Sequence, residues 1–506
     1  MTTYPALRKR RDATHKPRRI LYNNDGCDII PPQAATPDGF LSLRTAPLVG
    51  THVDTVLYCS HISFGRCTHD TAVGDVGATG SKAQDDENVR RFIRQGRDCL
   101  RLVTDFCHRH GMETFWSMRM NDVHDGNTPR VRSQFKIDHS ELLIGQEGDH
   151  SEQFIGASRC WSAVDYKHQQ VRNHAFRLIE EVCRKYDVDG VELDFFRHPF
   201  YFGQNRCGLP AEPHQVELMT ELIRRVHTMT VDAGQARGRP ILIAVRGPDS
   251  TARRRHIGLD FEQWAQEGLI DLIIPGGYFH TTSWQESIDL GHQHDIPVFP
   301  CVSATRVRGR VQGHFAREDL LWRGEALNAL EAGADGIHLF NHFKHGSADV
   351  LNMGDPQQMK TQRRVYAPNH GDLEKFVGKE IADRYGFLPQ PVPVGHDHAA
   401  SLEIHEDLRG NDKFKLTLRV LLNNVKKPDE VQISLNGSDL PHLKTSPLNG
   451  QPLSCADIKG FEGTWFETDV GPDAVNRGNN HVTTTTKHRS GADVMFQDVQ
   501  IEVNPI

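Results

Sequence analysis

The chain has 506 residues, of which 37% are hydrophobic and 25% are charged, and its formal net charge is −7. This composition is typical of an ordinary soluble globular protein. The small net charge gives no reason to expect nucleic acid or an acidic membrane as a partner. Because single hydrophobic cores usually stop growing below this length, the sequence predicts more than one domain.

The amino-terminal segment, residues 1–19, is basic and is not followed by the apolar stretch of a secretory signal. We therefore expect a flexible, solvated tail there. The ten cysteines form no C-x-x-C pair, which argues against a zinc ribbon or a thioredoxin-type redox site. These features predict a cytoplasmic protein with reduced thiols and no membrane span. A mature secreted form whose leader has been removed is the alternative.

Short apolar runs alternate with amphipathic helical patterns from residue 20 to about residue 345. The runs lack clean period-two alternation, which is typical of parallel strands that are covered on both faces. The eight candidate strands are RRILYNND, VDTVLYCSH, ETFWSMRMND, GVELDFF, ILIAVRG, DLIIPGGYF, PVFPCVS and GIHLFNHF. Eight strands interleaved with helices predict an α/β fold, a (β/α)8 TIM barrel, over residues 20–390. A doubly wound sheet is the alternative, but no G-x-G-x-x-G motif follows the first strand.

The pattern changes after residue 390, at the Pro/Gly-rich segment QPVPVGHDHAA. Beyond it, segments such as FKLTLRVLLNN and DEVQISLNGSDL alternate with period two and are separated by glycine-containing turns. We predict that residues 391–506 form a small antiparallel β-sandwich that serves as an accessory domain.

Polar side chains collect at the ends of the predicted strands. In a TIM barrel the carboxyl ends of the strands carry the active site, so these side chains are candidate functional residues. The candidates for substrate binding are Asn23, Asp25, His61, Arg119, Asn121, His124, Arg197, His198, Arg246, Tyr278 and Asn341. The candidates for catalysis are Asp194, Glu192 and Asp122.

The fourth strand, in KYDVDGVELDFFRHPFYF, carries two carboxyl groups two positions apart, Glu192 and Asp194. Residues i and i+2 of a strand share a face, so both side chains point the same way. Burial of an unpaired charge is costly, which leaves two interpretations. Glu192 either forms a structural ion pair with Arg119 or takes part in chemistry with Asp194, which lies nearer the mouth.

The segments YDVDGVELDFFRHP and FWSMRMNDVHD resemble the bacterial glycoside-hydrolase-like barrels labelled family 10 glycosylhydrolases. The resemblance covers the barrel and implies a glycosidase, with Asp194 as the best candidate for the catalytic carboxylate. In chitinase-type barrels the fourth strand reads DGxDxDxE and ends in the catalytic acid. Phe196 occupies that position here, so chitinase-type chemistry is not expected.

Glycoside hydrolysis generally needs one protonated carboxyl group and one ionised partner. We expect Asp194 to be the ionised group, held by Arg119 or Arg197, since a neighbouring cation favours the charged form. Glu192 is the nearest second carboxyl group in the sequence. Asp122, Asp125 and Asp249, which follow neighbouring strands, are the alternatives for the acid, and the sequence does not choose among them.

Two other classes of function compete with the glycosidase. The first is a metal-dependent sugar-processing barrel with ligands drawn from Asp25, His61, His124, Glu192 and Asp194, although the chain lacks H-x-H and H-E-x-x-H motifs at a suitable place. The second is a carbohydrate-binding barrel that has lost its acid. The main prediction is a glycoside hydrolase with a carbohydrate substrate and neither a metal nor another cofactor; the sequence does not predict the oligomeric state.

Overall fold

A computed structural model describes most of the chain in nine stretches. They are residues 4–80, 82–149, 158–277, 280–303, 318–343, 348–368, 388–392 without residue 389, 398–450 without residues 426–430 and 442, and 461–506 without residues 487–492. Tyr278 therefore lies outside the described residues.

The strands are short at the amino-terminal end of the chain and long at the carboxyl-terminal end. They are β1 Ile20–Asn24, β2 Val53–Tyr58, β3 His61–Ile62, β4 Arg66–Cys67, β5 Asp75–Val76, β6 Glu113–Arg119, β7 Gly190–Asp194, β8 Leu242–Gly247, β9 Leu272–Pro275, β10 Cys301–Ser303, β11 Ile337–Phe340, β12 Arg364–Tyr366, β13 Gln390–Pro391, β14 His398–Ile404, β15 Phe414–Asn423, β16 Val431–Leu435, β17 Ser438–Asp439, β18 Lys444–Gly450, β19 Phe461–Val470, β20 Gly478–Thr486 and β21 Met495–Pro505.

Within the described stretches the α-helices fall mainly between the barrel strands. They are α1 Tyr4–Thr14, α2 Pro37–Arg44, α3 Ala83–Arg94, α4 Cys99–Arg109, α5 Gln134–Asp138, α6 Gln169–Lys185, α7 Pro213–Arg237, α8 Thr251–His256, α9 Phe261–Gln266, α10 Trp284–Gln293, α11 Glu318–Glu331, α12 Ala348–Leu351 and α13 Pro356–Lys360. Among these residues no helix is both long and apolar enough to cross a membrane.

Eight strands form one sheet in the order β10-β11-β1-β2-β6-β7-β8-β9. Neighbours from β11 through β9 run parallel, and a parallel bridge between Ile273 and Val298 joins β9 to the residues before β10. The sheet is thus a nearly closed barrel, and the predicted α/β barrel is confirmed. Its interior core consists of Leu21, Leu57, Phe115, Leu242, Ala244, Leu272, Ile274, Phe299, Cys301 and Phe340.

Local sequence signals set the ends of the covering helices. Asp98 precedes α4 and accepts the backbone N–H of Arg101 at 3.0 Å, which satisfies one of the unpaired donors of the first turn. α7 ends at Gly238, whose φ of 76° is left-handed and suits glycine. The helix cap at Asp98 and the glycine at position 238 thus define the start of α4 and the end of α7, which lead to β6 and β8.

The chain divides into two compact units. The first comprises residues 1–301, 334–346 and 375–377, and the second comprises residues 302–333, 347–374 and 378–506. The second unit contains antiparallel sheets in the orders β12-β21-β15-β19-β18, with β13 also on β21, and β14-β20-β16-β17. Side chains of both sheets, such as Leu418 and Val482, share one apolar core, as the predicted sandwich requires.

One strand of the second unit precedes the boundary predicted at residue 390, and another spans it. Arg364–Tyr366 (β12) and the Gln390–Pro391 strand (β13) both pair with β21 near the carboxyl terminus. Tyr366 is buried in the core of this unit. The described residues therefore place part of the segment assigned to the barrel in the carboxyl-terminal unit.

Much of the segment expected to be a flexible tail is ordered. Residues 4–14 form α1. Arg10 donates hydrogen bonds to both carboxylate oxygens of Asp271 at 2.8 and 2.6 Å, and Arg18 donates to Glu113 at 2.7 Å. The basic residues that suggested a solvated tail thus have acidic partners near the starts of barrel strands.

Candidate functional site

Asp194, the last residue of β7, is held by four hydrogen bonds. Arg246, directly opposite it on β8, donates from Nε at 3.0 Å and from a terminal nitrogen at 2.6 Å, one bond to each carboxylate oxygen. The backbone N–H groups of Phe196 and Arg197 donate to the first oxygen at 2.9 and 3.0 Å. A bidentate guanidinium fixes both the charge and the orientation of a carboxylate. The cation that was expected to be Arg119 or the Arg197 side chain is instead Arg246.

Glu192 lies two residues earlier on the same face of β7 and is fully buried. Its Oε1 is 3.7 Å from Arg246 Nε and 3.8 Å from His338 Nε2. Neither carboxylate oxygen has a hydrogen bond of normal geometry within the described part of the chain. The hydroxyl of Ser117, opposite Glu192 on β6, lies near enough to oppose the rise in the pKa of Glu192. The structural ion pair expected with Arg119 is therefore wrong: the cation nearest to Glu192 is Arg246, which is already bound to Asp194.

The environment of Glu192 favours its protonated form. Burial raises the pKa of Glu192, and the neighbouring Asp194 adds to this, while Arg246 opposes both; the result is a pKa of about 7. β7 thus carries two carboxyl groups with different surroundings, one bound to a guanidinium and one without a hydrogen bond. Such divergence is how one site can hold an acid and a base together.

Asp122, the third catalytic candidate, is the centre of a second buried cluster. It accepts hydrogen bonds from the backbone N–H groups of Ser63 and His124, both at 3.1 Å. Arg119 donates to it at 3.1 Å, and His124 Nδ1 lies 2.9 Å from its Oδ2. Although burial opposes the shift, His124 and Arg119 lower the pKa of Asp122 well below its usual value. Asp122 is therefore ionised at neutral pH and cannot supply a proton.

The other two alternatives for the acid, Asp125 and Asp249, also already accept hydrogen bonds from neighbouring groups. Asp125 accepts a hydrogen bond from the buried ammonium group of Lys136 at 2.8 Å. Asp249 accepts the backbone N–H groups of Thr281 and Thr282, each at 2.6 Å, and so holds a loop. Each of these carboxylates thus already has a partner, although Oδ2 of Asp125 has no hydrogen bond among the described residues and lies 3.6 Å from Arg132 Nε.

The imidazole of His124 lies between Asp122 and Arg197. Its Nε2 is 2.9 Å from a terminal nitrogen of Arg197, so it accepts a hydrogen bond there and its Nδ1–H is directed to Asp122. His198 packs edge-on against it with ring centroids 5.2 Å apart. Burial lowers the pKa of His198 well below its usual value, so this ring is neutral.

Asp122, His124 and His198 each offer one ligand atom, and these atoms lie within 4.8 Å of one another. One carboxylate with two imidazoles is a donor set that transition metals accept. However, Arg119 and Arg197 already use the Asp122 and His124 atoms, and both are cations. The group can hold a metal only if these guanidinium contacts are replaced.

The predicted substrate-binding residues divide into buried and partly exposed ones. Asn121 ties two loop segments together. Its side-chain amide donates to the carbonyl oxygens of Val164 and Phe200, and its side-chain oxygen accepts the backbone N–H of Val164. His61 is buried, and burial lowers its pKa to about 4. Asn23 is 3% exposed.

Asp25, His124, Arg197 and Asn341 keep part of their surface exposed. Asp25 pairs with Arg44 in a short contact, and although burial opposes the shift, Arg44 and Arg119 lower the pKa of Asp25. Asn341 follows β11 with a left-handed φ of 58°.

Sequence reasoning missed three residues near this site. Asp28 is buried beside Asn24, whose amide donates to it at 2.7 Å, and burial raises its pKa to about 6. Arg44 stacks on the ring of Phe343 at 3.8 Å. His338 faces Glu192 from β11. A signal existed for His338 alone, since it shares the inward face of its strand with the core residue Phe340.

Residues 79–210 match the model of a family described as Glycosyl hydrolase-like 10. The resemblance read from the sequence is thus confirmed over this segment. No curated protein matches the chain.

Several solved structures resemble the chain at low identity. Alpha-L-fucosidase isoenzyme 2 from Paenibacillus thiaminolyticus is 13% identical with a TM-score of 0.40, over 68% of this chain and 50% of that one. The PgaB (BpsB) glycoside hydrolase domain from Bordetella bronchiseptica is 9% identical with a TM-score of 0.42, over 67% of this chain and 99% of that one. An alpha-galactosidase from Lactobacillus brevis is 14% identical with a TM-score of 0.37, over 97% and 55%.

The chain spans half the length of the first of these structures. Likenesses of this size carry no information about the site. The matched segment, residues 79–210, contains β6, β7 and the loop after β6, and therefore Asp122, Glu192 and Asp194. Arg246 and His338, which complete the surroundings of the two β7 carboxyl groups, lie outside the matched residues.

Proposed function

We propose that this protein is a glycoside hydrolase that acts on an oligo- or polysaccharide, with Asp194 as its catalytic carboxylate. One observation carries the proposal: two carboxyl groups share a face of β7, and a single guanidinium, that of Arg246, binds only one of them. The site therefore has one carboxyl group bound to a guanidinium and, two residues earlier on the same strand, a second one whose surroundings favour the protonated form. The match to a glycosyl-hydrolase-like family supports the reaction class.

In this proposal Asp194 acts as the nucleophile or the base. Arg246 holds it oriented through two hydrogen bonds, which removes the cost of arranging the carboxylate during the reaction. Glu192 lies one layer deeper in the barrel, and its proton keeps a second negative charge away from Asp194. Asp122 is reassigned from catalysis to support of the loop after β6.

The partly exposed polar residues are the proposed contacts to the sugar. They are Asp25, His124, Arg197 and Asn341. Arg197 also carries a backbone N–H that binds Asp194, so a sugar bound at its side chain would lie beside the catalytic carboxylate. Asn121 and His61, by contrast, are proposed to shape the site from behind.

The test is a digest of a panel of oligosaccharides with analysis of the products, in the presence and absence of a chelator. We expect at least one glycan to be cleaved, at a rate that the chelator leaves unchanged. Cleavage that the chelator abolishes would instead favour the metal-dependent barrel, with Asp122, His124 and His198 as the ligands. Absence of cleavage over the whole panel would contradict the proposal.

A carbohydrate-binding barrel without turnover is the second candidate, and one observation favours it. Asp194 is 2% exposed and Glu192 is 0% exposed, while a nucleophile must touch its substrate. The same panel separates the two functions. A binding protein would bind a glycan, as measured by calorimetry, and would release no product. Cleavage would eliminate the binding-only candidate.

A further inference from the structure

Beneath Asp194 the barrel interior holds several polar atoms that lack partners. Both carboxylate oxygens of Glu192, a terminal nitrogen of Arg246 and Nε2 of His338 are buried and have no hydrogen-bond partner among the residues that the structure describes. They come from three strands, β7, β8 and β11. Native proteins leave few buried polar groups unsatisfied, so a convergence of this kind needs a physical explanation.

The orientation of His338 supplies one. Its Nδ1 is 3.2 Å from the sulfur of Cys301 on the adjacent strand β10, and the ring stacks on Phe340 with an interplanar angle of 22°. These contacts fix the ring and direct its other nitrogen, Nε2, toward Glu192 Oε1 at 3.8 Å. At 3.8 Å the two buried atoms lie just beyond direct hydrogen-bond range, so a small rotation of either side chain, or one water beside both atoms, would connect them.

The charges that face Glu192 leave it without a cation of its own. Arg246 faces it from β8 but gives its short hydrogen bonds to Asp194, which lies on β7 itself. Arg119, on β6, binds Asp122. β11 contributes only the neutral His338, and Cys301 contacts the far side of that ring. Two carboxyl groups thus depend on one guanidinium in a sealed interior, and one of them must hold a proton.

We propose that His338 is a positioning residue for the carboxyl pair, because its Nε2 shares one proton with Glu192, directly or through one water. The proton moves between Glu192 Oε1 and His338 Nε2, and no other group gains or loses one. While the proton stays in this pair, the pair carries no net charge and Arg246 remains available to Asp194. The proton sharing is independent of the reaction, whereas its catalytic meaning rests on the proposed function.

The proton sharing can be tested without a substrate. In protein labelled with nitrogen-15 in its histidine rings, the signal that is lost in His338→Gln identifies His338. We expect this signal to shift with pH between about pH 5 and pH 8, and the shift to disappear in Glu192→Gln. A signal that does not move with pH, or that moves equally in Glu192→Gln, would overturn the proposal. If His338→Gln does not fold, His338→Asn provides the assignment.

The catalytic meaning has a separate readout. On any glycan that proves to be cleaved, His338→Gln should move one limb of the pH profile of kcat/KM by about one pH unit. A purely structural histidine would lower the amount of folded enzyme and leave the profile in place, and that result would overturn the positioning role. If no glycan is cleaved, only this second readout is lost. The proton sharing between Glu192 and His338 is still tested by the nitrogen-15 signal, so its failure can be told apart from failure of the proposed hydrolase activity.

Discussion

Asp122 and Asp194 are both buried carboxylates at the ends of neighbouring barrel strands, and each is bound by an arginine. Their surroundings differ in one respect. Both oxygens of Asp122 accept hydrogen bonds, which come from a loop backbone, Arg119 and an imidazole. Behind Asp194 lies Glu192, a second carboxyl group with no hydrogen bond among the described residues.

This difference distinguishes a cluster that stabilises the fold from one that can take part in a reaction. A fully satisfied network has a single arrangement and stabilises the fold, whereas an unsatisfied carboxyl group can change its protonation at little structural cost. Pairing with arginine alone does not distinguish the two clusters. The two clusters differ in Glu192, because its carboxylate oxygens lack hydrogen bonds among the described residues, whereas both oxygens of Asp122 have them.

The largest effect on stability should come from the satisfied cluster. Asp122→Asn removes the charge that Arg119 and His124 face and turns one acceptor into a donor, so it should lower the free energy of unfolding by about 3–5 kcal/mol. Urea denaturation measures this. The exposed Asp232→Asn on α7 is the matched control and should change stability by less than about 0.5 kcal/mol. Equal stability of the two variants would remove the distinction between the clusters.

Glu192 should make the free energy of unfolding depend on pH. Because the pKa of Glu192 is raised from 4.5 to about 7, the folded protein holds this proton more tightly than the unfolded chain. The resulting stability is fully present below pH 4.5 and is lost as the pH rises through 7. Between about pH 5 and pH 8 the wild type should lose roughly 2 kcal/mol more than Glu192→Gln.

Denaturation at several pH values provides the comparison for Glu192. The exposed Glu221→Gln on α7 serves as the control and should follow the wild type at each pH. If Glu192→Gln also follows the wild type, Glu192 does not titrate in this range, and its environment is not the one described above.

A smaller effect is expected at the edge of the satisfied cluster. His124→Gln removes the imidazole bond to Asp122 but leaves the backbone donors and Arg119 in place, so it should cost about 1 kcal/mol. The measurement is the same urea titration. A loss as large as that of Asp122→Asn would mean that the imidazole, rather than the carboxylate, holds the cluster together.

The sequence contained most of the information about the fold. Apolar runs without alternation, such as ILIAVRG, are typical of strands covered on both faces, and eight of them with intervening helices predict a barrel. The ends of the second unit were harder to predict, because β12 and β13 have three and two residues and are defined by pairing with β21, more than a hundred positions later. Such short strands carry almost no periodicity.

The site was predictable by position but not by partner. Strand ends and the shared face of Glu192 and Asp194 followed from the geometry of parallel strands. Arg119 on β6 and Arg246 on β8 both lie opposite Asp194, so the strand register does not choose between them. The choice of Arg246 depended on side-chain direction, because Arg119 instead donates to Asp122. Asp28 was missed because its raised pKa arises from burial after the strand has ended.

The most direct test of the central claim compares turnover in Asp194→Asn and Asp122→Asn on the same cleaved glycan, per folded molecule. Folded protein must be counted by near-ultraviolet circular dichroism, since both changes weaken a buried ion pair. We expect Asp194→Asn to lose about 10²–10⁴-fold in kcat and Asp122→Asn to lose less than about tenfold. Near-normal turnover in folded Asp194→Asn, or a greater loss in Asp122→Asn, would contradict the account.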